Sequence, residues 1–193
     1  MKVSLILFIL FFLNPLLSIN TNKLSDDKDA IIIWNKGHKL EWSDYTPTKY
    51  SVGNDGAASD VKIKYQIVKY TSNDSSDIFI YSCFNKKNSW AIVKHEDSLG
   101  LEHERHHFDL CEIYARKLRK ETGKMNFYTD DFINLTYKTI REENKEQDLY
   151  DKETNHSLNK IKQVEWDKKI DNQLKTLDSF SNMHVIVKNN KSK

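Results

Sequence analysis

The feature that most constrains this chain is a change of hydrophobic period near residue 98. Before it, apolar residues recur every second position. In VKIKYQIVKY at 61–70, Val61, Ile63, Tyr65 and Ile67 alternate with Lys62, Lys64 and Gln66, the pattern of a strand with one wet face. TSNDSSD at 71–77 is turn chemistry, and IFIYSCF at 78–84 reads as a second, more buried strand. IIIW at 31–34 and HKLEW at 38–42, separated by Asn35-Lys36-Gly37, suggest a hairpin, and 43–60 a loop. After Ser98 the spacing becomes helical. Leu99, Leu110, Ile113, Tyr114 and Leu118 define one helix, with Ser98 as its cap and Gly123 as a left-handed stop. A second is expected from Thr129-Asp130-Asp131 through Ile133, Tyr137 and Ile140 to near Leu149. A third carries Trp166, Ile170, Leu174 and Leu177. Strands first and helices after predict an α+β domain: a small antiparallel sheet against one long helix and two further helices.

That domain is expected at 31–180. Residues 1–20, MKVSLILFILFFLNPLLSIN, have the basic start, short apolar run and break of a cleaved secretory signal, too short for a membrane span. Residues 21–30 read as a flexible leader, and 181–193 as a short apolar run (MHVIV) with a basic tail. The expected location is secreted or periplasmic, with no stable span after signal removal. Thirty basic and 28 acidic side chains nearly cancel, which gives no electrostatic case for nucleic acid as a partner. Cys83 and Cys111 can pair in an exported chain or remain two buried thiols.

HERHH at 103–107 fits H-E-x-x-H and falls inside the first expected helix. Residues four apart share a helix face with β-carbons about 5–6 Å apart, so His103 and His107 can close on one ion. Zn²⁺ takes neutral imidazole nitrogens at about 2.0–2.1 Å and lowers the pKa of a water it binds toward about 7. Glu104, one position round, is placed to act as general base. His106 is adjacent, but the i, i+4 pair is geometrically favoured.

A third ligand is needed. Leu110 and Ile113 stand where the extended H-E-x-x-H-x-x-G-x-x-H pattern would need Gly and His, so that class is excluded. The remaining sources are His156 in YDKETNH, Glu142 or Glu143, Asp151 or Glu153, and Cys83.

LEHERHHFDLCEIYARKLRK at 101–120 and YDKETNHSLNKIKQVEW at 150–166 resemble the bacterial family catalogued as domain of unknown function 922, whose members are described as predicted secreted zinc-dependent proteases. LEWSDY at 40–45, GAAS at 56–59 and Ser89-Trp90 add to the likeness, which spans about Trp34 to Leu174. The first motif matches at His103, Glu104, His107, Phe108 and Asp109, and the second at Tyr150, Asp151, Thr154 and His156. Ser157 stands where the family usually has Gly, and Cys111 where it has Ala. The resemblance implies a zincin-like fold, with His103, His107 and His156 on Zn²⁺ and Glu104 as the base. The expected function is hydrolysis of a peptide or protein substrate. The rivals are a non-catalytic metal-binding scaffold and a zinc amidase acting on cell-wall material. Tyr150 is expected as an oxyanion donor, Asp109 and Asp151 as acceptors supporting the ligands, and the strand at 78–84 as a sheet edge over the cleft.

Overall fold

The computed structural model describes residues 30–49, 56–69, 75–92, 97–126 and 129–188; the expected signal and nearly all of the leader lie outside them. The fold is α+β, with three long helices and two small sheets among the described residues. Strand β5 (Ser75–Asn85) is the centre of the larger sheet. It pairs antiparallel with β4 (Val61–Lys69) along one side. Along the other it pairs with β1 (Ile31–Ile33) at one end and β7 (His184–Lys188) at the other. A second sheet holds β2 (Thr46–Thr48), β6 (Trp90–Ile92) and β3 (Ala57–Ala58) in the order β2-β6-β3.

Several expectations change here. The hairpin at 31–42 does not form: β1 pairs with β5, Ile31 opposite Asn85, and only an isolated bridge joins Asn35 to His38. Leu40 is buried instead, and a capping box between Glu41 and Asp44 turns the chain into one 3-10 turn, Trp42–Asp44. The expected loop at 43–60 contributes β2 and β3. β5 is paired on both sides, so it is not the open edge over a cleft. The run at 183–187 is β7, buried at Val185 and Val187, so the sheet continues past residue 180.

Helix α1 (Ser98–Thr122) is the hub. Its N-cap is Asp97 rather than Ser98, accepting from the Gly100 amide at 2.7 Å. Gly123 ends it with φ −65°, so no left-handed residue is needed there. Leu110, Ile113, Tyr114 and Leu118 join Ile78, Ile80, Phe132, Trp166 and Ile170 in the main core. A smaller cluster, Leu40, Tyr45, Phe84, Ala91, Leu101 and Phe108, packs the second sheet onto the start of α1. Cys83 and Cys111 are both buried free thiols, and burial pushes each thiol pKa up.

Helix α2 (Thr129–Thr154) runs further than expected, and its buried stripe is displaced. Phe132, Thr136, Thr139, Glu143 and Tyr150 are buried, whereas Tyr137 is largely exposed. This face is polar because its second half meets the histidines of α1. Helix α3 (Lys160–Thr176), capped by Asn159, buries Gln163, Trp166 and Ile170 against the same helix pair. No helix among the described residues is long and apolar enough to cross a membrane.

Candidate metal centre

His103 and His107 lie one turn apart on α1, as the helical spacing predicts, with their Nε2 atoms 3.2 Å apart. The remaining pieces come from α2 and α3. Asp151, in the last turn of α2, places Oδ1 3.1 Å from His103 Nε2 and 2.9 Å from His107 Nε2. Three potential ligand atoms therefore form a nearly equilateral triangle.

Two glutamines show which protons those atoms carry. The Gln147 amide nitrogen donates to the His107 carbonyl at 2.9 Å and to Glu143 Oε1 at 2.8 Å. Its oxygen must then face His107 Nδ1, at 2.7 Å, so Nδ1 carries the hydrogen. Gln163 does the same for His103. Its nitrogen donates to Asp167 Oδ1 at 2.8 Å and to the Tyr150 hydroxyl at 2.7 Å, and its oxygen accepts from His103 Nδ1 at 3.3 Å. With Nδ1 as the donor on both rings, each Nε2 points inward, toward a carboxylate oxygen. Three acceptors can sit this close only if a proton or a metal cation lies among them.

The set fits zinc. Four ligand atoms at about 2.0–2.1 Å from a tetrahedral ion are about 3.3 Å apart, close to the edges of this triangle. His156 adds a fourth donor, its Nδ1 3.8 Å from Asp151 Oδ1 on a half-exposed side chain. Ligand atoms of His103, Asp151 and His156 lie within 4.8 Å of one another, as do those of His103, Glu104 and His107. The electrostatics agree with a cation-seeking site. Burial opposes charge on His107, but the Asp151 hydrogen bond and the Glu104 charge outweigh it and lift its pKa to about 9. Burial likewise opposes charge on Asp151, yet the bonds from His103 and His107 hold its carboxyl well below the usual carboxylate range.

Glu104 borders the triangle and accepts from Ser59 Oγ at 2.7 Å through Oε2. It lines a cleft of about 260 Å³ with Ala57, Ala58, His107, Asn144 and His156. A larger cavity of about 580 Å³ opens on another face of α1, lined by Trp34, Leu40, His106 and Asp109, and contains none of the converging donors.

Two expected roles are corrected. The Tyr150 hydroxyl does not face the cleft. It is fully buried behind His103, its ring stacked on the imidazole at 4.5 Å, and it donates to the His103 carbonyl at 3.3 Å. Asp109 lies two positions past His107, which turns it about 200° around the helix. It accepts from Trp34 Nε1 at 2.7 Å, away from His103 and His107. His106 also turns away, its Nδ1 3.4 Å from Asp167.

Of the other ligand candidates, Glu153 accepts from Trp166 and Glu142 is exposed beside Lys138. Glu143 holds Gln147, and Cys83 lies in the core. The residues that sequence reasoning missed are Ser59, Gln147 and Gln163. Gln147 and Gln163 signal themselves only as polar residues on the inner faces of their helices, and Ser59 only as the last residue of GAAS.

No family model matches the chain, and neither the curated proteins nor the solved structures compared with it gave a match.

Proposed function

We propose that this chain is a secreted zinc-dependent metallopeptidase of zincin-like architecture. What supports the reading above all is the inward triangle of His103 Nε2, His107 Nε2 and Asp151 Oδ1, with both imidazole tautomers fixed by glutamines. His103, His107 and Asp151 would hold the ion. His156, the third ligand implied by the motif resemblance, stands beside them within reach of the same position. Zinc bound there supplies Lewis acidity, polarising a carbonyl and acidifying water.

The chain's own residues supply the rest. Glu104 carries the carboxylate that takes a proton from the attacking water and returns it to the leaving amine. The His103 and His107 rings are held by Gln163 and Gln147, so neither has to reorient during a turnover. Among the described residues β3 pairs on one side only, with β6, and offers its other edge at the cleft to an extended substrate. Ala57 and Ala58 have small side chains, which let another backbone approach for strand addition.

The test is metal analysis with activity on peptide, casein and peptidoglycan substrates. One zinc per chain is expected, lost on His103→Ala and on Asp151→Ala. Glu104→Gln should retain zinc and lose at least about 100-fold in kcat. A wild-type protein that binds no zinc sinks the proposal. Cleavage of peptidoglycan alone would shift it to a cell-wall amidase.

One observation favours a second reading. Four protein donors converge, and a site closed by four ligands has no open position for chemistry. If His156→Ala also strips the zinc and the wild type cleaves nothing, the chain is a metal-binding scaffold.

A further inference from the structure

We propose that Ser59, backed by Tyr45, is the positioning residue that aims Glu104, an inference resting on the reading of Glu104 as the base. Ser59 lies between β3 and β4, immediately after the two alanines that line the cleft. Its hydroxyl is 2.7 Å from Glu104 Oε2, across 45 residues of sequence. The Tyr45 hydroxyl is 2.9 Å from the same Ser59 oxygen. A hydroxyl has one proton to give and a carboxylate has none. The direction of the chain follows: Ser59 donates to Glu104, and Tyr45 donates to Ser59.

Tyr45 is well suited to anchor that chain. It is buried among the residues that join the second sheet to α1, edge-on to Trp42 at 5.3 Å and to Phe84 at 5.0 Å. Burial, reinforced by the Glu104 charge, pushes its phenol pKa up, so it remains a donor. Its ring therefore fixes where the serine oxygen sits. The serine in turn occupies one oxygen of Glu104, and no other hydrogen bond to that carboxylate forms among the described residues. Glu has three rotatable side-chain bonds, and holding Oε2 narrows the positions open to Oε1. The device also ties the base to the substrate-facing strand, because Ser59 follows Ala58 directly. A backbone docked on β3 and the carboxylate that acts on it share one rigid reference.

Displacing a reacting group by about 1 Å can cost on the order of 100-fold in rate. The experiment compares Ser59→Ala, Ser59→Thr and Tyr45→Phe by zinc content, steady-state kinetics on a peptide substrate, and crystal structures. Ser59→Ala is expected to keep its zinc and a KM within about twofold while kcat falls about 10- to 100-fold. Ser59→Thr, which retains the hydroxyl, should recover most of that loss, and Tyr45→Phe should fall between the two. In crystals the Glu104 carboxylate should leave its place in Ser59→Ala and keep it in Ser59→Thr. A Glu104 that stays put in Ser59→Ala, or a Thr variant as slow as the Ala variant, overturns the proposal. If the wild type cleaves no peptide, the peptidase reading fails, while the crystal comparison still decides whether Ser59 aims Glu104.

Discussion

Asn155, His156 and Ser157 all have positive φ, 50°, 50° and 71°, and none is glycine. Asn155 is the left-handed residue that closes α2, with the His156 amide bonded to the Asp151 carbonyl as in a Schellman stop. The run lets the chain reverse within one turn and leaves His156 beside Asp151. Asn tolerates this conformation, but Ser gains nothing from it. Placing an L residue there costs roughly 1–2 kcal/mol, while Gly gives back about 0.4–1 kcal/mol through the freer unfolded chain. Ser157→Gly should therefore stabilise the protein by about 0.5 kcal/mol and raise Tm by about 1–2 °C, read by thermal unfolding. A lower Tm would show that the strain argument has the wrong sign. At this scale His103, Glu104 and His107 were legible, because a four-residue helical step fixes their geometry without knowledge of the fold. Asp151 was legible only as one of several acids. Gln147, Gln163 and Ser59 were not, since a neutral amide or hydroxyl has no spacing rule and acts here across 40 to 60 residues of sequence.

Among the elements, α1 is held to the sheet by charge as well as by apolar packing. Glu112 is buried and accepts from Arg116 at 2.9 Å, from Arg119 at 2.9 and 3.2 Å, and from the Ser82 hydroxyl of β5 at 2.7 Å. Arg119 continues to the Ile80 carbonyl at 2.8 Å and the Phe180 carbonyl at 3.0 Å, tying α1 to β5 and to the segment before β7. Removing the one acid leaves two buried guanidinium groups without it. Glu112→Ala is expected to cost about 3–5 kcal/mol, measured by urea unfolding. Glu102→Ala, which breaks a partly exposed pair with Arg105, should cost under about 1 kcal/mol. Equal losses would mean that burial does not set the value of these pairs. The three helices were readable from sequence because each repeats its pattern over at least 17 residues. The two- and three-residue strands were legible only in part. β1 was readable as an apolar run at 31–34 but not its partner β5, and β2, β3 and β6 are too short to show a period. The displaced stripe of α2 has a related cause. Its inner face carries Glu143, Gln147 and Tyr150 for the histidines, so an apolar pattern points one position wide of it.

For the whole molecule, strands followed by helices was enough to predict an α+β domain, but not a sheet centred on β5 with its last strand drawn from the C-terminal run. The same fold brings three helices to one charged point, and that makes stability a function of pH and metal together. In protein stripped with EDTA, the folded state raises the His107 pKa from 6.5 to about 9. A raised pKa means the folded chain binds the proton more tightly than the unfolded one. The resulting stability is complete below pH 6.5 and disappears as pH rises through about 9. The loss is on the order of 3 kcal/mol, from about 1.4 kcal/mol per pKa unit. Asp151 shares this interaction and acts at the acid end. Its depressed pKa contributes stability above pH 4 that is lost as pH falls through the folded value. Zinc should reverse the alkaline limb, because it needs both imidazoles deprotonated and so competes less with protons as pH rises. Urea midpoints at pH 6, 7.5 and 9 should therefore fall with pH in EDTA but hold or rise in saturating zinc, the two curves separating most at pH 9. An EDTA curve that is flat or rising from pH 6.5 to 9 would place the proton away from His107. Parallel curves would mean that zinc is not bound by these imidazoles.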